Sequence, residues 1–194
     1  MRALTRLGLV FVAALSAASC GDTGRTLFAD VQWRLLCPGD IAGCQDGAPH
    51  DVYDFTGTHQ GDGSLITAAC AVTKTPGGDR LVNLSVSIGS RASLAVQNLV
   101  VSRDGGAPKG GTCGVTVIDD SVTYRGACGA DVPTAAQPCR IADVRLNAPD
   151  RGDLEASLVC ENLSAPADPV NLRRNVVGTH GSLASIHFMH CDGL

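Results

Sequence analysis

The sequence predicts an all-β protein: a disulfide-stapled antiparallel β-sandwich of about ten short strands, with a jelly roll as one arrangement of it. Three observations carry that prediction. Apolar residues alternate with small polar ones, most plainly in Val82, Leu84, Val86 and Ile88 against Asn83, Ser85 and Ser87. The apolar runs are short and separated by turn formers, among 23 glycines and 9 prolines in 194 residues. Nine cysteines mark a chain made for an oxidising compartment. No heptad pattern, long amphipathic helix or internal repeat competes with this reading.

Residues 27–194 read as one domain. Phe28 to Cys37 is the first strand, with Val31, Trp33, Leu35 and Cys37 on one face. Val52 to Thr56 is a short second strand. Its aromatics Tyr53 and Phe55, like Trp33 and Tyr124, are of a kind that stacks on sugars, but each lies in a strand pattern and reads as core. A turn-rich connection, Gly57-Thr58-His59-Gln60-Gly61-Asp62-Gly63, follows.

The next two runs form a hairpin around Thr75–Asp79. Ile66 falls opposite Ile88, Cys70 opposite Leu84 and Val72 opposite Val82. Leu94 and Val96 continue the alternation, but Leu99 and Val101 have changed phase. A bulge or bend near Gln97-Asn98 accounts for that. Cys113 and Cys128 then flank a hairpin that turns near Asp119–Val122 and sets Val117 against Tyr124.

Cys139 and Cys160 flank another hairpin, turning at Asn147–Gly152. Opposing the two cysteines sets Val144 against Glu155, whereas aligning the apolar residues sets Val144 against Ala156. Both demands hold only if one extra residue is accommodated, for example by a bulge near Cys139. Asp168-Pro169 resembles a helix cap followed by proline, so Asp168 to Asn175 reads as a short helix. Leu183 to Cys191 is the last strand.

The leader is the most specific segment. Arg2 and Arg6 precede an apolar run from Leu7 to Ala18. The run is too short to span a bilayer, which takes roughly 20 apolar residues, and it fits a secretory signal. Ala17, Ala18, Ser19 and Cys20 resemble the lipobox of bacterial lipoproteins, with Ala17 where that family most often has Leu. The resemblance implies a signal peptide at residues 1–19, acylation of Cys20, and a polar tether over 20–26. It also implies a bilayer partner through the acylated Cys20. Gly21 rather than Asp after the cysteine implies an outer-membrane destination by the same analogy. The composition is similar to that of disulfide-rich envelope lipoproteins of high-GC bacteria such as myxobacteria. Cleavage after Ala18, giving a soluble secreted protein, is the alternative.

If Cys20 carries lipid, eight cysteines remain for four disulfides. Strand register suggests Cys113–Cys128 and Cys139–Cys160. Cys37 and Cys44 enclose a turn-rich stretch that closes locally, which leaves Cys70–Cys191. Swapped pairings among those last four stay open. No C-x-x-C occurs, which argues against a zinc ribbon or thioredoxin-like site.

Nineteen acidic against 15 basic residues, net −4, exclude a basic field for nucleic acid. No P-loop, G-x-S-x-G or H-E-x-x-H motif is present. His187 and His190 lie three apart on a strand, so they point to opposite faces and form no metal site. No EF-hand loop occurs, and no cofactor is implied. His59 and Asp62, among glycines that let a partner approach the backbone, are the candidate ligand loop. The expected function is therefore non-enzymatic: an envelope domain that binds an unknown protein or glycan, or serves structurally. A carbohydrate-binding or calcium-stabilised module is the first alternative. It calls for an aromatic platform or clustered Asp side chains on adjacent loops. An extracytoplasmic hydrolase is the second alternative, and it calls for a histidine meeting Ser or Asp in a pocket.

Overall fold

A computed structural model describes residues 25–39, 41–109, 113–147, 152–181 and 183–194, with residues 169–171 described in backbone only. The leader and Cys20 lie outside the described residues. Twelve strands follow in chain order: β1 (Phe28–Leu36), β2 (Pro49–Phe55), β3 (Ile66–Lys74), β4 (Arg80–Ile88), β5 (Ala92–Val101) and β6 (Gly105–Gly106). Then come β7 (Gly114–Asp119), β8 (Val122–Gly129), β9 (Cys139–Asn147), β10 (Asp153–Ala165), β11 (Asp168–Val177) and β12 (Ala184–Met189).

One hydrogen-bonded sheet runs β11-β1-β12-β10-β9-β8-β7-β5-β4-β3, with β2 added to β1 and β6 to β9. The strand ladders are antiparallel except where β8 meets β9. The sheet returns on itself. At one end of β3, Gly57 N–H donates to the Ile66 carbonyl and Ile66 N–H to that of Thr58, both at 2.8 Å. At the other end, Val72 N–H donates to Asp192 and Asp192 N–H to the Cys70 carbonyl, at 2.8 and 2.9 Å. The outer edge of β3 is thus covered rather than left as a template for aggregation. Gly193 follows with a φ of 85°, and a Cβ there would run into the Val72 carbonyl.

The inner face holds one core, with Trp33, Leu35, Leu94, Leu99, Leu154, Leu158 and Phe188 fully buried. Among the described residues no polar or charged residue is buried. Burial alternates along β3, β4 and β12 as a two-residue period requires.

The registers have simple causes. Ile66 opposes Ile88, Cys70 opposes Leu84 and Val72 opposes Val82. The phase change in β5 is a register shift opposite Val82–Leu84, where Asn98 takes a φ of 55° and its N–H donates to Asn83 Oδ1 at 2.9 Å. The β9–β10 ladder holds both expected registers. Cys139 opposes Cys160, Leu146 opposes Leu154, and the extra residue sits at Asp143, φ 54°, rather than near Cys139.

Two expectations are corrected. Residues 168–177 form β11, not a helix. Backbone pairing with β10 on one side and β1 on the other outweighs a local cap-and-proline signal. Tyr53 and Phe55 are not core: they are 73% and 45% exposed. Val52 takes the inward position of β2, so its neighbours on either side must face out.

Four disulfides join Cys37 to Cys44, Cys70 to Cys191, Cys113 to Cys128 and Cys139 to Cys160. The second links β3 to the segment after β12 across 121 positions. Such a set belongs to a domain that works outside the cytoplasm. Among the described residues no helix is long and apolar enough to cross a membrane.

Candidate functional site

The outward face of β2, β1, β12, β10 and β9 carries side chains of a different kind from the core beneath. Cross-strand register builds a row: Tyr53 opposes Asp30, Asp30 opposes His187, His187 opposes Glu155, and Glu155 opposes Arg145. Directly opposed residues share a face, so these five side chains lie in line across five strands. A second row, Asp51, Gln32, Ser185 and Ser157, runs beside it. A hollow of about 430 Å³ opens along this face, lined by Asp30, Asp143, Arg145, Glu155, Ser185 and His187 among others.

Its electrostatics are tense. Burial raises the Asp30 carboxyl above its usual range, His187 opposes that shift, and neighbouring Asp51 adds to it. Arg145 and Glu155 form an exposed ion pair at 3.6 Å, worth little in stability. His187 Nε2 is shielded from water and has no hydrogen-bond partner among the described residues, at a cost of about 1–3 kcal/mol. His190, expected on the same strand, lies just past the end of β12 at a φ of 66°, and its Nδ1 donates to the Thr26 carbonyl at 3.0 Å. No group of three metal-ligating side chains suited to an ion occurs among the described residues.

A second hollow, about 470 Å³, lies at the outer edge of β2 and is lined by Asp51, Tyr53, Asp54, Gln60, Gly61, Asp62 and Ile66. The aromatics beside it are held in place. Phe28, itself buried, meets Tyr53 edge-on at 4.9 Å and Phe55 at 5.1 Å. Thr56 N–H donates to the Leu27 carbonyl, so the alternation of an antiparallel ladder turns the backbone of Asp51, Tyr53 and Phe55 away from β1. Gln60 Nε2 donates to the Asp51 carbonyl at 3.1 Å and fastens the 57–65 connection there.

A third hollow, about 400 Å³, shares Asp51, Gln60 and Asp62 with the second and continues to His50, Arg91 and Asp119. His50 Nε2 donates to Asp119 Oδ1 at 3.1 Å, with side chains 14% and 16% exposed. The His50 ring lies over Trp33 at 4.9 Å. This pair joins the start of β2 to the end of β7. No hydroxyl or thiol among the described residues bonds to His50, so the arrangement holds a base and its orienting carboxylate without an attached nucleophile.

Of the two candidate loop residues, Asp62 lines both hollows of this edge. Its carboxylate accepts the Ser64 N–H at 2.9 Å and pairs with Arg91 at 2.8 Å; the Ser64 bonds, then the arginine, hold its pKa below the usual range. His59 is exposed and lines none of the three hollows described here. Sequence reasoning passed over His50, Asp119, Asp30 and Glu155, whose partners lie on distant strands. The outward placing of Tyr53 did have a signal: Val52 and the aromatics one and three residues after it, Tyr53 and Phe55, cannot all face the core. Comparison with protein families, with curated proteins and with solved structures finds no match for this chain.

Proposed function

We propose that this protein is a non-enzymatic binding domain of the bacterial envelope, anchored through acylated Cys20. The observation that carries the reading is the cysteine pairing. The eight described cysteines are all consumed in four disulfides, so Cys20 is left with no cysteine to join within the chain. Its place after Ala17, Ala18 and Ser19 then favours lipid as its partner. Two acyl signals or more give durable membrane anchoring, and the outer membrane is the proposed destination. Recognition falls to the outward face around β2, where large polar and aromatic side chains gather.

The test is the intact mass of the mature protein, extracted from membranes with thiols blocked. A chain that starts at Cys20, carries added acyl mass and has no blocked thiol is the expected result. A chain that starts at Ser19, unacylated and with one blocked thiol, overturns the anchor and leaves a soluble secreted domain. A hydrolase is the second reading, favoured by the His50–Asp119 pair alone. Turnover of an ester or glycoside substrate that disappears in His50→Ala would carry it over the first.

A further inference from the structure

We infer that the hollow at the edge of β2 binds an uncharged sugar unit, stacked on Tyr53 and hydrogen-bonded by Asp51, Asp54 and Gln60. The inference rests on the binding-domain reading and names the ligand class of that surface.

The ring comes first. Tyr53 is 73% exposed, yet its position is set by the buried Phe28 that meets it edge-on. An exposed, preplaced aromatic ring offers a large amphipathic contact at low entropic cost. The polar groups beside it are mostly acceptors. The Asp51 carboxylate has no hydrogen-bond or ion-pair partner among the described residues. Asp54 uses Oδ1 on the Phe55 N–H at 2.8 Å, which leaves Oδ2. Gln60 uses its amide N–H on Asp51, which leaves its carbonyl oxygen. The outward-turned Tyr53 N–H adds one donor.

A ligand that satisfies this set needs an apolar face and a rim of hydroxyl donors, which describes a sugar ring. The carboxylates repel phosphate, sulfate and uronate groups, so an anionic glycan or lipid headgroup is disfavoured. An apolar protein anchor would leave the same carboxylates desolvated and unpaired. The surface also has reach. Asp30 lies directly opposite Tyr53 and leads to His187, Glu155 and Arg145, a span of roughly 19 Å at about 4.8 Å per strand step. A chain of several sugar units fits along that row.

The test titrates the mature full-length protein, held in a detergent without sugar headgroups, with hexasaccharides. Cellohexaose, maltohexaose and acetylated chitohexaose are the uncharged probes. A deacetylated chitosan hexamer and an octalysine peptide are the cationic ones, and a hexauronate is the anionic one. At least one uncharged probe is expected to bind, to persist in high salt, and to weaken about tenfold or more in Tyr53→Ala. Tyr53→Phe is expected to keep most of the affinity, and Ser85→Ala, on the outer face of β4 and outside the hollow, all of it. Circular dichroism on each variant checks the fold. No binding of any uncharged probe overturns the inference, as does binding unchanged in Tyr53→Ala. Binding of the cationic probes alone, lost in high salt and in Asp51→Asn, also overturns it and leaves only an acidic patch. The mass measurement decides the anchor separately, so loss of the anchor and loss of the sugar site are told apart.

Discussion

The two outer faces of this sheet stand on the same kind of interior and differ in almost everything else. Under β3, β4 and β5 lie Ile66, Val82, Leu84, Val86, Leu94 and Val96; under β1, β10 and β12 lie Val31, Leu35, Leu154, Leu158, Ile186 and Phe188. Both sets are branched aliphatics, joined in the second by Phe188. Outward, β3 to β5 present Thr67, Ala69, Ala71, Asn83, Ser85, Ser87, Ser93 and Ala95, small and uncharged. The other face presents Tyr53, Asp30, His187, Glu155 and Arg145. Packing therefore decides one side of every strand, while the opposite side is free to differ. The face that gathers large and charged groups is the one proposed above for recognition.

The largest effect is expected from separating the two regions. Cys70–Cys191 joins them across 121 positions, so Cys70→Ser with Cys191→Ser should lower stability by about 4–5 kcal/mol in the chain-entropy account. Denaturant unfolding measures this, and a loss under about 1 kcal/mol would show that backbone pairing at Asp192 alone holds the closure. Next comes the equality of the interiors. Leu94→Ala and Leu158→Ala, both fully buried, should each cost about 2–5 kcal/mol. A large gap between them would mean that one layer packs more loosely than the other.

Smaller still is the pH response of the charged face. The folded Asp30 carboxyl is raised, so its ionised form is disfavoured by the fold. Its unfavourable contribution is absent below the unfolded carboxylate pKa, grows as pH rises above that value and is complete once pH has passed the folded one. Asp30→Asn should accordingly raise the melting temperature at pH 7 and have no effect at strongly acidic pH. An equal shift at both pH values would point to packing instead of charge. The smallest effect is Tyr53→Ala, expected to change stability by no more than about 0.5 kcal/mol because the ring is exposed. A loss of 2 kcal/mol or more, on the order of a core truncation, would reassign the ring from recognition to structure.

What was legible in the chain was what strand periodicity governs. The β3–β4 register follows from Ile66 through Ile88 because both faces of that hairpin are unambiguous. The conflict between the two β9–β10 registers required a bulge, and Asp143 supplies it. The β8–β9 pairing was not legible, because a parallel contact leaves no turn signal between its strands. Neither was β11, whose cap-like Asp168-Pro169 is a local hint overruled by two neighbouring strands. The candidate site was legible only at Asp62. Asp30, His187 and Glu155 meet because three strands far apart in sequence become adjacent, and no local pattern encodes that.

The closure at Asp192 governs when the domain can form during synthesis. β1 lies between β2 on one side and β12 with β11 on the other, and the bond from His190 to Thr26 spans 164 positions. The first strand of the domain cannot be sealed before its last strand has been made. Contacts of such high separation fold slowly, because loop closure must precede the pairing that rewards it. Until then β1 and the apolar runs that follow are unsealed edges. The same long-range pairing that makes the folded domain hard to open also keeps the chain open until its C-terminal strand arrives.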